Sequence, residues 1–391
     1  MKKNNEPVTA LILSGGGARA AYQVGVLQGL ADIFPKHSPN PFPILCGTSA
    51  GAINAAAMAI YAAQFREAVW RLVHVWANFH VDQVFRAGFG GLSLSALRWL
   101  GTLTGGIGGN QPVSLLDRTP LAHLLSQYMP FEQISQTIKD GHVRALCLTA
   151  SSYSGGETVS FFQGDESIEP WVRSRRVGVR DTIGIEHLLA SSAIPFVFAP
   201  QRIGDEYFGD GSMRQTAPLS PAMHLGADRL VVIGVRHIDT APVVARRHKE
   251  PSLGEVAGHV LDSIFLDTLD VDVERVQRNN RFIEQIPNKH LPEDSATLRP
   301  VDVLFISPSQ DLYKIAEKHA QLMPLSVRFF LRALGVKNER GSNLLSYLLF
   351  EKAYCRDLIA LGYADTLARR KEICEFFGLC EEHGKKVDKF Y

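Results

Sequence analysis

Phe42-Pro43-Ile44-Leu45-Cys46-Gly47-Thr48-Ser49-Ala50-Gly51-Ala52-Ile53-Asn54-Ala55-Ala56-Ala57 is the stretch that decides the fold. Phe42 to Cys46 is a short apolar run and reads as a buried strand. Gly47-Thr48-Ser49-Ala50-Gly51 fits G-x-S-x-G, a sharp strand-to-helix turn that holds a serine in strained backbone. The alanine-rich continuation predicts a helix over about 52–63. A serine at this turn stands above the sheet edge at the positive end of the following helix, which favours alkoxide character at its oxygen. The five-residue pattern alone is weak, and the strand before it and helix after it give it weight.

Upstream, Val8 to Leu13 reads as a second buried strand, closed by Ser14-Gly15-Gly16-Gly17-Ala18-Arg19-Ala20 and followed by a helix over about 20–33. Gly15, Gly17 and Ala20 satisfy G-x-G-x-x-A, so a dinucleotide loop has to be weighed. That site needs an acidic residue at the end of a second strand, and Asp32 falls within the predicted helix instead. Three consecutive glycines at a helix start expose backbone N–H groups, and an oxyanion hole made by Gly15, Gly16 and Gly17 is the better reading. Arg19 either fixes this loop through a salt bridge or attracts an anionic headgroup, and the structural role is the one expected. Further strands are predicted at 143–149, 158–162, 230–235 and 301–306, with helical patterns between most of them. Such alternation argues for an α/β fold with a largely parallel sheet.

A serine nucleophile needs a proton acceptor. Gly209-Asp210-Gly211-Ser212 follows Tyr207-Phe208, which reads as a strand end, and flanking glycines let the carboxylate approach another loop closely. In this order the three motifs resemble the patatin-like phospholipase family: Gly15-Gly16-Gly17-Ala18-Arg19, Gly47-Thr48-Ser49-Ala50-Gly51 and Asp210-Gly211-Ser212. Ala190-Ser191-Ser192-Ala193-Ile194-Pro195 is similar to another segment of that family, and the resemblance is clear over about 8–235. The resemblance implies a three-layer α/β/α patatin-like fold with a mostly helical C-terminal extension, dividing the chain into a catalytic domain at 1–240 and a helical region at 241–391. It also implies a Ser49–Asp210 dyad forming an acyl-enzyme on a lipid or fatty-acyl ester. Gly47, Gly51, Gly211, Ser212 and Arg19 then support the site, and no metal or cofactor is needed. Ser212 stands where the family has glycine or alanine, and its hydroxyl is placed to alter the basicity of Asp210. A free aspartate, with a pKa near 3.9, is a poor base, so burial has to raise it.

Three rivals stand beside this reading. A Ser–Asp–His triad has the required chain order, with His224, His237 or His259 after Asp210. Only one strand and one helix precede the elbow, however, and Ser14 stands where that fold tends to have histidine before the glycines. A non-catalytic lipid-binding regulator would be free to lose Ser49, Asp210 or a glycine, and all are present. An acyltransferase uses the same acyl-enzyme and stays open.

The 391 residues, 46% hydrophobic, suffice for a large core, and a net charge of +1 gives no global pull toward nucleic acid. Five scattered cysteines suggest reduced thiols in the cytoplasm. The apolar run at 8–13 is too short for a secretion signal, and the mature chain is expected to start near Met1. Between Gly88 and Asn110, eight glycines are interspersed with Phe89, Leu94, Leu97 and Trp99, and this segment is the candidate for a lid or a peripheral membrane contact. Arg173, Arg175, Arg176 and Arg180 read as a solvated basic loop. A helical stripe over 256–269 and a long helical pattern over 343–377 complete the chain; oligomeric state is not legible.

Overall fold

The strands are β1 (Thr9–Leu13), β2 (Ile44–Thr48), β3 (Ala145–Ser152), β4 (Thr158–Gly164), β5 (Trp171–Arg173), β6 (Arg176–Arg180), β7 (Gln201–Ile203), β8 (Glu206–Asp210), β9 (Arg229–Ile233) and β10 (Asp302–Ile306). The helices are α1 (Ala21–Ile33), α2 (Ala50–Ile60), α3 (Phe65–Trp76), α4 (Thr119–Tyr128), α5 (Glu132–Lys139), α6 (Ile185–Ser191), α7 (Ser220–His224), α8 (Asp267–Gln285), α9 (Leu312–His319), α10 (Ser342–Leu348), α11 (Lys352–Ala368) and α12 (Arg370–Phe377). The structure is a computed structural model that describes residues 7–86, 116–195, 197–238, 263, 267–285, 299–325, 327–328 and 342–379. The candidate lid at 88–110 lies outside them, as does most of the stripe over 256–269, of which Leu269 is a buried residue of α8.

One sheet runs β10-β9-β1-β2-β3-β4-β6-β5, with β8 against β3 and β7 against β8. β10, β9, β1, β2 and β3 are mutually parallel, while β4 is antiparallel to β3. Alternate side chains leave opposite faces of a strand, and β1 shows what this does. Leu11 and Leu13 enter the core shared with α1 and α2, whereas Ala10 and Ile12 enter a second core with Leu225 and Leu269. Both faces are therefore covered by helices, which is why these strands read as continuous apolar runs.

Strand β2 and the arginine cluster both depart from the sequence reading. β2 begins at Ile44 rather than Phe42 and runs on to Thr48, because Pro43 offers no N–H and instead accepts from the N–H groups of Arg144 and Ala145. The arginine cluster is not a loop. Trp171 to Arg180 forms the hairpin β5–β6 at the sheet edge, turning at Arg175 with φ 55°, and Trp171 lies over Gly178. The Arg180 guanidinium bonds the carbonyls of Gly164 (2.9 Å) and Asp165 (3.0 Å), capping the end of the neighbouring strand.

Past residue 240 the chain adds β10 to the sheet and lays α11 on α1. A Cβ at Gly25 would sit 2.0 Å from the Ile359 carbonyl oxygen, and one at Gly362 would sit 2.2 Å from that of Tyr22. Only glycine allows the two backbones to come this close. The helical pattern over 343–377 is broken at Leu349–Glu351, where the Glu351 carboxylate turns to accept from Val81 N–H at 3.3 Å. Among the described residues no helix is long and apolar enough to cross a membrane.

Candidate active site

Ser49 falls between the last residue of β2 and the first of α2, with φ 55° and ψ −127°, and only 1% of it is exposed. A non-glycine residue in that region costs of order 1–3 kcal/mol and survives only where its surroundings impose it. The flanking glycines impose it here. A Cβ on Gly47 would lie 2.4 Å from the Gly51 carbonyl oxygen, and one on Gly51 would lie 2.3 Å from that of Leu13. Gly51 thus seats the start of α2 directly on the chain entering the glycine loop.

That loop is held on three sides. Ser14 Oγ donates to the Ile233 carbonyl at 3.2 Å, and Gln23 Nε2 donates to the Ser14 carbonyl at 2.8 Å. Gln23 accepts from Asn54 of α2, which in turn accepts from the Trp76 indole at 2.8 Å. Gly16 is pressed on Val235, and Gly17, with φ 54°, faces the Tyr347 carbonyl oxygen, 2.2 Å from where its Cβ would be. Arg19 is buried. Its Nε donates to Ser346 Oγ at 2.8 Å, and its guanidinium lies 4.0 Å over the Tyr347 ring. These contacts tie Arg19 to a hydroxyl and a ring of α10.

Asp210 reaches the elbow through strand pairing. β2 pairs with β3 up to Thr48↔Thr149, and β8 takes over the same edge at Ala150↔Asp210. β2 and β8 lie end to end along one edge of β3, and this sets the carboxyl beside Ser49. Gly211 is required at that junction, since its Cβ would come 2.1 Å from the Thr149 carbonyl oxygen. Asp210 is fully buried; its Oδ1 accepts from Ser212 N–H at 2.9 Å, and Oδ2 has no hydrogen-bond partner among the described residues. Burial pushes its pKa up to about 7, against smaller opposing effects from the Ser49 hydroxyl and from the N–H and hydroxyl of Ser212. Ser212 thus moderates the shift.

One cavity is lined by residues of this constellation, and a second lies along α2. The first, about 20 Å³ with room for a single water, is lined by Gly15, Thr48, Thr149, Ser212 and Gln215. The other, about 150 Å³ and apolar, is lined by Ile53 and Ala57 of α2 with Trp76, Leu121, Leu125 and Met129. Ile53 lies one helical turn beyond Ser49.

His224 and His237 have other partners. His224 stacks on Trp171 with ring centroids 5.0 Å apart, and burial followed by Arg173 and Arg176 depresses its pKa to about 4. His237 Nδ1 lies 2.9 Å from the Pro308 carbonyl oxygen, and His259 is outside the described residues. The sequence reading had no role for Thr149, Gln215 or the Gln23–Asn54–Trp76 chain. Thr149 is placed by strand register, whereas Gln23, Asn54 and Trp76 meet only through the packing of α1, α2 and α3.

The solved structures similar to this chain include VipD from Legionella pneumophila, at 13% identity and TM-score 0.34, covering 94% of this chain and 67% of that one. They also include human GIVD cytosolic phospholipase A2 in complex with methyl gamma-linolenyl fluorophosphonate, at 12% identity and TM-score 0.40, covering 97% of this chain and 60% of the human one. A comparison with curated proteins gives no match. The family model for patatin-like phospholipase matches residues 11–223, from β1 through the glycine loop, the elbow and Asp210 to α7. With more than half of the chain matched, this protein belongs to the patatin-like phospholipase family, which supports a lipid-hydrolase function.

Proposed function

We propose that the protein is a serine hydrolase of lipid acyl esters, working through a Ser49–Asp210 dyad with an oxyanion hole formed by the N–H groups of Gly15, Gly16 and Gly17. The observation that carries this is the pairing of a strained, buried serine with a buried carboxyl whose pKa is raised to about 7. A carboxylate with that affinity for protons is a competent base near neutral pH. Ser49 Oγ attacks the ester carbonyl carbon as its proton passes to Asp210, and the glycine N–H groups hold the oxyanion. Collapse expels the alcohol, which takes the proton from Asp210. Water, deprotonated by Asp210, then attacks the acyl-enzyme, and collapse releases the fatty acid as the proton returns from Asp210 to Ser49 Oγ. Arg19, Gly47, Gly51, Gly211 and Ser212 hold the geometry.

The catalytic unit is taken as 1–240, with 241–391 packed on it, and the apolar cavity beside α2 is taken as the acyl-chain site. Transfer to an alcohol shares the same acyl-enzyme, so products measured with an added alcohol acceptor separate transferase from hydrolase. The direct test uses p-nitrophenyl esters of increasing chain length and defined phospholipids. Wild-type protein is expected to release acid, and Ser49→Ala to lose all turnover with thermal stability nearly unchanged. Retained turnover in the purified variant sinks the assignment.

A further inference from the structure

Ala190-Ser191-Ser192-Ala193-Ile194-Pro195 takes no part in the chemistry proposed above, yet two of its residues touch the main chain of both dyad members. Ser191, the last residue of α6, is fully buried. Its hydroxyl accepts from the Ser49 N–H at 2.9 Å and donates to the Thr149 carbonyl at 2.6 Å. Two residues on, the Ala193 carbonyl accepts from the Asp210 N–H at 2.9 Å. We propose that Ser191 and Ala193 form a two-point clamp that fixes the spacing of Ser49 and Asp210, with Ser191 as a positioning residue; this rests on the dyad reading above.

Three features support it. A hydroxyl has one proton and two lone pairs, and Ser191 spends the proton on β3 and a lone pair on the elbow, which fixes its own orientation. The elbow needs such a hold, because Ser49 sits at φ 55° and its buried N–H would otherwise lack an acceptor. The Thr149 carbonyl that receives the Ser191 proton is also the one against which Gly211 is seated. One atom therefore references the serine on one side and the end of β8 on the other. The clamp also engages the Ser49 N–H itself, leaving the glycine loop to supply the oxyanion donors.

Ser192 is a built-in control. It has the same hydroxyl and is also buried, but that hydroxyl donates to the Leu188 carbonyl at 2.7 Å within its own helix. The experiment measures kcat and KM on a short soluble ester for Ser191→Ala, Ser191→Cys and Ser192→Ala, counting competent sites by titration with a fluorophosphonate. Misplacing a nucleophile by about 1 Å costs on the order of a hundredfold. The expected result is a kcat per titrated serine about a hundredfold lower in Ser191→Ala, with KM unchanged, a loss in the same direction in Ser191→Cys, and wild-type values in Ser192→Ala. A merely structural role would lower the number of titrated sites and leave kcat per site intact. Wild-type kcat per site in Ser191→Ala, or in Ser191→Cys where the alanine variant does not fold, overturns the clamp, as does an equal loss in Ser192→Ala. Ser49→Ala and Asp210→Asn run in parallel: turnover in either overturns the dyad, whereas both inactive beside a fully active Ser191→Ala overturns the clamp alone.

Discussion

Replacing Asp210 by asparagine should abolish activity and, near neutral pH, make the protein more stable. The carboxyl is fully buried and its pKa rises from 3.8 to about 7 because burial disfavours the charged form. The unfolded chain ionises at the ordinary value. Below that value Asp210 is protonated in both states and its contribution is fully present. As pH rises, only the unfolded state gains from ionisation, and folding loses up to about 1.4 kcal/mol per pH unit until the folded carboxyl ionises near 7. Across the roughly three pH units between the two values the loss reaches about 4 kcal/mol. Asparagine cannot ionise and keeps an oxygen for Ser212 N–H, so its other effects on stability do not vary with pH in this window. Urea unfolding of both proteins from pH 4 to pH 8 should show the variant gaining on wild type progressively and levelling off above pH 7. Wild-type kcat should rise through the same range as the base is unmasked. Parallel stability curves would refute the reasoning, since they would mean the carboxyl has an ordinary pKa and that burial does not make the base.

Two further outcomes are expected. Gly25→Ala drives a Cβ into the Ile359 carbonyl and forces α1 and α11 apart, costing about 1–3 kcal/mol, so its melting temperature should fall; an unchanged value would mean the helices are not in backbone contact. Ala57→Phe fills the apolar cavity beside α2 and should lower hydrolysis of long-chain p-nitrophenyl esters while sparing butyrate; an equal effect on both would remove the cavity as the acyl site.

The elements that define the fold were legible where local chemistry has a single reading. The apolar runs at 8–13, 143–149, 230–235 and 301–306 became β1, β3, β9 and β10, because strands packed between helices present mostly apolar side chains. The glycine spacing around Ser49 was legible from the motif, as positions 47 and 51 leave no room for a Cβ. β5 and β6 were missed because a three-residue edge strand rich in arginine carries almost no periodic signal, and Trp171 over Gly178 is a cross-strand event. Ser191 was visible as a residue and invisible as a contact. Its partners Ser49 and Thr149 lie 142 and 42 positions away, and nothing local to α6 marks which of two adjacent serines faces the elbow.

The same long-range logic bears on how much chain the site needs. The family match ends at residue 223, yet the wall behind Gly17 is the Tyr347 carbonyl, and Arg19 is held by Ser346 and Tyr347 of α10. A strained Ser49 and a buried carboxyl both work against folding, so they need a scaffold able to offset them. Part of that scaffold comes from the C-terminal region. α11 covers α1 so closely that glycines are needed on both helices, and Tyr22 of α1 donates to Asp365 of α11 at 3.0 Å. α1 begins where the glycine loop ends, so this packing fixes the loop from behind. Residues 342–368 contribute no group to the proposed chemistry, but they pack against the glycine loop, Arg19 and α1.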